Sequence, residues 1–380
     1  MNNVKIFFAG DFCSLPSTSK ITVSDELKNL IRSCDLKVVN FEVPLKPDNN
    51  LPPQQYKRFW QHDDTPDFLR GLGFNLFSIA NNHAFDWGDE GFKKTKTILG
   101  DQSFGAGFYD EAYRVKVCEV KGVKVGFLAL SYAAYTGVFD DVLHHEGLGC
   151  AYINDLRVNH DIMEAKKIVD YLFVLPHDGI EYIDVPLPET IFRYRDFIDY
   201  GADGVIAAHP HCPQGWEEYK GKPIFYSLGN FLFNSKERYD VHAKEPHWYE
   251  GLCVVMELED GKVKNNVVNT KNENNIKLSL DVDETRKKHN ESLCSYLKDR
   301  EKYLDYLKKQ CSRLAKEKEM PIVDHTFHPE TLKSCTKALF RKWMKTIKKE
   351  DFTNDFSLIT LMRNDTRRSV LMKYIKNDFV

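Results

Sequence analysis

Up to about residue 270 the chain alternates short apolar runs with helix-like stretches, and this alternation restricts the fold more than any other feature. Residues 4–9, 36–41, 76–80, 171–175, 205–208 and 224–227 are strand-length runs rich in branched and aromatic side chains. Residues 25–32, 66–72, 88–99, 158–169 and 189–200 fall between them with helical spacing. The runs 114–119 and 123–130 flank Lys121-Gly122, and 252–258 is followed by Asp260-Gly261, so two hairpins are expected. Strand–helix alternation with added hairpins predicts an α/β sandwich.

Metal-capable side chains cluster at the ends of these runs. Asp11, Glu42, Asn82, His177 and His209 each lie at a strand end or within two or three residues beyond it, and His211 follows closely. Ligands collect at the C-terminal tips of strands in such sheets, where the buried strands fix their spacing. Oxygen donors mixed with imidazoles and no cysteine suit Mn, Fe, Zn or Mg, bound as one or two ions. Taken alone, His209-Pro210-His211 reads first as two loop histidines, and Asn81-Asn82 equally as a pair of capping asparagines. His177, in the same slot after another strand, weighs against that bland reading. Glu42 is the bridging candidate, because a carboxylate between two cations screens their repulsion. His83 is placed to act as an acid, and Asp86, three residues on, to hold its imidazole in one tautomer. Glu181 reads either as support for His177 or as a surface acid, and Cys212 as a small buried residue.

With 380 residues the chain is expected to form one large domain, 1–268, and a basic, mainly helical region, 269–380. Residues 281–380 hold 23 Lys+Arg against 16 Asp+Glu, which leaves 30 against 40 for residues 1–280. An acidic body argues against nucleic acid as a partner, although Lys57, Arg58 and the metals could receive an anionic substrate locally. The Asn-rich stretch 265–275 reads as a hairpin end and linker. Leu293, Leu297, Leu304, Leu307, Cys311 and Leu314 then predict an amphipathic helix of several turns that stops at Pro321. Two further helices are expected near 332–347 and 369–375. Their basic faces would suit a partner or an anionic membrane surface, but a Leu-rich face is more often an ordinary packed core, and that is the reading preferred. Nine scattered cysteines without a C-x-x-C pair fit a reducing compartment. No apolar run is long enough to span a membrane, and the expectation is a cytoplasmic protein.

The stretches Gly10-Asp11, Asn40-Phe41-Glu42, Asn81-Asn82-His83-Ala84-Phe85-Asp86-Trp87-Gly88 and His177-Asp178-Gly179-Ile180-Glu181-Tyr182 together resemble the CapA family. So do His209-Pro210-His211 and Lys222-Pro223-Ile224-Phe225-Tyr226-Ser227-Leu228-Gly229-Asn230-Phe231. That family is named for poly-γ-glutamate capsule biosynthesis and belongs to the calcineurin-like metallophosphoesterases. The resemblance covers roughly residues 1–265. It implies a four-layer α/β/β/α sandwich, with Asp11 and His211 on one metal and Asn82, His177 and His209 on the other. Glu42 would lie between them, and His83 would be the transition-state histidine. The superfamily's D-x-H opening stands here as Asp11-Phe12-Cys13, which removes one imidazole, and Asp178 stands where the family often has tryptophan.

The function so implied is a metal-dependent hydrolase linked to capsule or surface-polymer biosynthesis, with a metal-activated water as nucleophile and His83 as acid. Its substrate would be a phosphoester or a γ-glutamyl polymer. The competing expectation is a non-catalytic, polymer-binding assembly subunit.

Overall fold

The computed structural model describes residues 3–48, 59–133, 137–140, 146–235 and 245–317. The chain begins with β1 (Val4–Ser14), β2 (Thr22–Val23), α1 (Asp25–Arg32) and β3 (Leu36–Phe41). Next come α2 (Thr65–Leu72), β4 (Leu76–Ser78), α3 (Gly88–Leu99), β5 (Ser103–Phe104), β6 (Ala106–Gly107) and α4 (Tyr109–Ala112). The middle holds β7 (Lys116–Val120), β8 (Val123–Ser131), β9 (Gly149–Cys150), α5 (Arg157–Lys166), β10 (Tyr171–His177) and α6 (Pro188–Asp199). Then follow β11 (Gly204–Ile206), β12 (Trp216–Tyr219), β13 (Lys222–Phe225), β14 (Asn230–Asn234) and β15 (Glu250–Glu259). The described chain closes with β16 (Lys262–Glu273), β17 (Lys277–Leu280), α7 (Glu284–Leu297) and α8 (Arg300–Glu317).

This is a mixed α/β fold with two principal sheets. One runs β2-β17-β16-β15-β1-β3-β4-β5 with β14 added beside β1, and the other runs β12-β13-β11-β10-β8-β7. The strands that end near the metal-capable residues are parallel: β1 with β3, β3 with β4, and β10 with β8 and β11. The sheets meet through aromatic side chains. Phe8 of β1 lies 6.2 Å from Phe127 and 5.5 Å from Phe173 of the second sheet. On the other face of β1, Phe7 packs edge-on to Phe74 at 6.0 Å. Rings buried this fully cost about 3–5 kcal/mol each when cut to alanine, so they fix how the sheets sit together.

Helix α1 is capped by Ser24, whose hydroxyl accepts from the Leu27 amide, and it buries Leu27 and Ile31. Leu69 and Leu72 of α2, with Phe92 and Leu99 of α3, enter the same core as Phe7 and Phe8. A second core joins Val158, Ile162 and Tyr194 of α5 and α6 to Leu128, Leu172, Val174 and Val205 of the second sheet.

Two expectations are corrected. The Asn-rich stretch is no linker. It lies mostly within β16, paired along its length with β15, and Asn265 and Asn266 are both exposed. Pairing with a long neighbour overrides the low strand preference of asparagine. The single tail helix is two helices, α7 and α8, broken at Lys298-Asp299, where the Asp299 carboxylate accepts from the Lys302 amide and starts a new helix. Their apolar side is covered. Leu293, Tyr303, Leu307, Cys311 and Leu314 pack with Ile183, Val185, Leu187 and Trp248, and the Tyr303 hydroxyl donates to Pro186 O at 2.7 Å. Lys57, Arg58, Pro321 and the helices expected near 332–347 and 369–375 lie outside the described residues. Among the described residues no helix is long and apolar enough to cross a membrane.

Candidate metal centre

Asp11 reaches the site through an irregular strand. Pairing of β1 with β3 shifts register between Ala9 and Asp11, and pairing with β14 shifts between Asp11 and Phe12. Such bulges re-aim a side chain at the end of a strand. Gly10 sits at this shift because a Cβ there would lie 1.9 Å from Gly229 O. Glu42 follows β3 directly, and Gln61 pins it: its amide nitrogen donates to Phe12 O at 2.6 Å and Glu42 O at 2.8 Å. These bonds tie the ends of β1 and β3 together.

The second sheet delivers the imidazoles. His177 ends β10 and pairs through a parallel bridge with Ala208, which brings His209 alongside it. His209 and His211 both have positive φ, 106° and 58°, on either side of Pro210. Side chains other than glycine rarely adopt this conformation, and it collects at functional sites. Gly179 lets the His177 loop pass close by, since a Cβ there would meet Pro210 Cγ at 2.8 Å.

All six metal-capable residues converge. Glu42, His177 and His209 form one group and Asp11, Glu42 and His211 another, with the donor atoms in each group within 4.8 Å of one another. Glu42 belongs to both. Asn82 joins through its side-chain oxygen, 2.8 Å from His177 Nε2, and that same nitrogen is 3.1 Å from His209 Nδ1. Asp11, Glu42, Asn82, His177, His209 and His211 are all buried. His83 and Asp86 stand at the edge, with His83 Nδ1 2.9 Å from the Asp86 carboxylate.

The electrostatics are unfavourable for the protein by itself. Burial pushes the Asp11 carboxyl up. Burial, followed by the charge of Asp11, holds Glu42 well above the usual carboxylate range. Burial, with the charges of His211 and His83 behind it, pushes His177 well down. Burial opposes a charged His83, but the Asp86 carboxylate outweighs it and raises that imidazole. Glu181 lies half-buried and its charge acts on both Glu42 and His83. Cys212 is buried, and burial pushes its thiol up, as suits a packing residue.

Whether these residues fit a metal rests on Glu42. Both of its carboxylate oxygens are buried with no hydrogen-bond donor. A buried carboxylate left unpaired is costly, and a cation shared between the two groups would satisfy it. The set of two carboxylates, one amide oxygen and three imidazoles fits Mn, Fe, Zn or Mg by its hardness.

Four supporting residues carry no clear mark in their own spacing. Asn40 donates from one amide nitrogen to Asp11 Oδ1 at 2.6 Å and lies 3.1 Å from His177 Nδ1. Asn230 Oδ1 is 2.9 Å from His211 Nδ1 and fixes that ring. Tyr132 lies 4.5 Å, ring to ring, from His209, and Gln61 acts through the backbone as described. The available signals were position, since Asn40 precedes Glu42 by two and Asn230 follows Ser227-Leu228-Gly229, and the place of both asparagines inside the family-like stretches.

Residues 6–235 match the family described as bacterial capsule synthesis protein PGA_cap. The chain belongs to this family. A similar relative is PGA biosynthesis protein CapA of Bacillus subtilis, 28% identical over 240 residues, covering 60% of this chain and 62% of that protein. Another is capsule biosynthesis protein CapA of Bacillus anthracis, 30% identical over 223 residues, covering 56% of this chain and 53% of that one. The matches therefore span between half and two thirds of these relatives' lengths. A Thermus thermophilus protein of known crystal structure aligns over 70% of the chain at 10% identity with a TM-score of 0.34, too slight a likeness to carry an argument.

Proposed function

We propose that this chain is a metal-dependent hydrolase of capsule or surface-polymer biosynthesis, acting on a phosphoester or on a poly-γ-glutamate type polymer. The observation that carries the reading is the donorless Glu42 carboxylate between two groups of ligand atoms. In this reading Asp11 and His211 hold one divalent ion and Asn82, His177 and His209 the other, with Glu42 between them. The architecture is then the four-layer α/β/β/α sandwich of the metallophosphoesterases; its body runs past the expected boundary at 268 through β16 and β17, and the helical appendage begins with α7. Facing sheets with separate helix-lined cores support that assignment. The names of the two Bacillus relatives support the pathway.

A bound divalent cation would bring the pKa of a coordinated water toward neutrality and polarise the substrate's oxygen. The chain's own residues do the rest. His83, whose imidazole the Asp86 carboxylate raises against the effect of burial, is the residue placed to deliver a proton to the leaving group. Asp86 accepts from His83 Nδ1 and from the Phe59 amide at 3.0 Å, so the ring cannot turn away. Asn40 orients Asp11 and His177 together, and Asn230 orients His211. The free thiols of the described cysteines accord with a reducing, cytoplasmic setting.

Purified protein is assayed for bound Mn, Fe, Zn and Mg and for hydrolysis of a generic phosphodiester and a γ-glutamyl peptide, with His83→Ala and His209→Ala beside it. Metal-dependent turnover lost in both variants supports the hydrolase. Metal binding with no turnover on either substrate, and retention of polymer, assigns the chain instead to polymer binding.

A further inference from the structure

A second constellation of ligand atoms lies away from the centre just described. It joins Asp184 in the loop between β10 and α6, His247 just before β15, and His289 in α7. Its ligand atoms all lie within 4.8 Å of one another. We propose that Asp184, His247 and His289 form a separate transition-metal site of zinc type that staples helix α7 to the sandwich. This inference does not rest on the hydrolase reading.

The argument is one of missing donors. Asp184 is 2% exposed, and its Oδ1 has no hydrogen-bond partner. His289 Nε2 is 3.3 Å from Asp184 Oδ2, an ion-pair contact that lacks hydrogen-bond geometry. His247 Nε2 faces the same oxygen at 3.9 Å. His247 Nδ1 lies 2.9 Å from Glu250 Oε2, and a carboxylate can only accept there, so Nδ1 carries the proton. With Nδ1 so occupied, Nε2 is the nitrogen left to face Asp184. The two ring centroids lie 4.7 Å apart with planes at 9°, and their Nε2 atoms stand 3.3 Å and 3.9 Å from the same Asp184 oxygen. Two imidazole nitrogens and a buried carboxylate oxygen grouped this closely are a donor set that one cation can share.

The spacing fits. Two ligands at about 2.1 Å on a tetrahedron lie about 3.4 Å apart, close to the observed separation of His289 and Asp184. Two nitrogens and one oxygen with a fourth position for water is a donor set that zinc accepts. Glu250 on His247 and the Tyr306 hydroxyl, which donates to Asp184 Oδ2 at 2.7 Å, are the outer contacts that such sites use to aim their ligands. Arg313 is the opposing charge nearby. It is occupied by Glu245 Oε2 at 3.5 Å and Tyr182 O at 2.7 Å, which offsets its repulsion of a cation.

The test uses the full chain, stripped of metal and titrated with Zn²⁺ alone, in a His177→Ala/His209→Ala background that removes the main cluster's imidazoles from one ion. Binding is followed by calorimetry and by the absorbance of substituted Co²⁺, and folding by thermal melting. The proposal expects one equivalent bound in this background, a metal-dependent rise in Tm, and loss of both on adding His289→Ala. His247→Gln, a milder change, must weaken binding at least tenfold while circular dichroism remains that of the parent. If the His289→Ala addition leaves stoichiometry and the Tm rise unchanged, or the parent background binds no equivalent, the cluster is a proton-sharing group and the proposal fails. If His289→Ala does not fold, the His247→Gln titration decides by itself.

Discussion

Asp86 holds His83 from one side and the chain entering the site from the other: a single oxygen, Oδ2, lies 2.9 Å from His83 Nδ1 and 3.0 Å from the Phe59 amide. Phe59 in turn meets the His83 ring edge-on at 5.2 Å. The imidazole is thus fixed in both tautomer and tilt by groups that reach no ligand.

Asp86→Asn is expected to lower turnover about 10–100-fold while leaving metal content unchanged. An amide nitrogen facing His83 would reverse the tautomer. Steady-state kinetics beside metal analysis checks this, and a parallel loss of metal would mean that Asp86 supports the ligands instead.

Glu42→Gln should leave the metal-free protein at least as stable as the parent, because the buried carboxylate it replaces has no donor. The parent in metal at about 100 times Kd should gain about 2.7 kcal/mol, and the variant should lose that gain. Urea unfolding with and without Mn²⁺ measures both. A large loss of stability without metal would show that Glu42 is paired.

Gly10→Ala forces a methyl group onto Gly229 O, a backbone atom that cannot step aside. The expected cost is about 3 kcal/mol or more, at the upper end for overpacking. Denaturant titration reads it, and an unchanged midpoint would contradict the close approach of β1 to the β13–β14 connection.

Glu217 supplies a pH test away from the metals. Burial pushes its carboxyl up, but the paired bonds from Arg195 at 2.7 and 2.6 Å and the Tyr226 hydroxyl hold it below the usual range. A depressed folded pKa gives stability that is present above the unfolded value of about 4.3 and lost as pH falls through the folded one. Arg195→Met should therefore be less stable than the parent at pH 7, and the gap should shrink below about pH 4. Unfolding at pH 7 and pH 3.5 tests it, and a gap that widened in acid would reverse the sign.

Leu307→Ala should cost about 2–5 kcal/mol, because the side chain is wholly buried between α8 and the loop that follows β10. The same burial predicts that α8 does not lead binding to anionic vesicles. Flotation of the full chain checks the second point and thermal melting the first.

Much of this was legible in the residues. Strand β3, helix α1 and helix α3 fall where spacing placed them, since a short apolar run between a cap and a turn leaves little freedom. The ligand candidates were visible because each ends a run, and a strand end is a fixed address. The supporting residues were not. Gln61 acts across the chain through backbone oxygens, and Tyr132 through a ring contact, neither of which leaves a periodic trace. The β16 strand was hidden for a related reason: asparagines hold it by pairing with β15, a property of the partner rather than of the segment.

The placing of β1 has a consequence for synthesis. It carries Asp11, yet its antiparallel neighbour β15 is translated long after it, and the edge strand β2 likewise waits for its partner β17. A nascent chain therefore carries the apolar stretch of β1 without that neighbour until residues near 259 emerge, and long-range pairing of this kind is slow and prone to clumping. Expression conditions that favour chaperone contact should raise the yield of folded protein more than they would for a chain whose sheets pair only strands close in sequence.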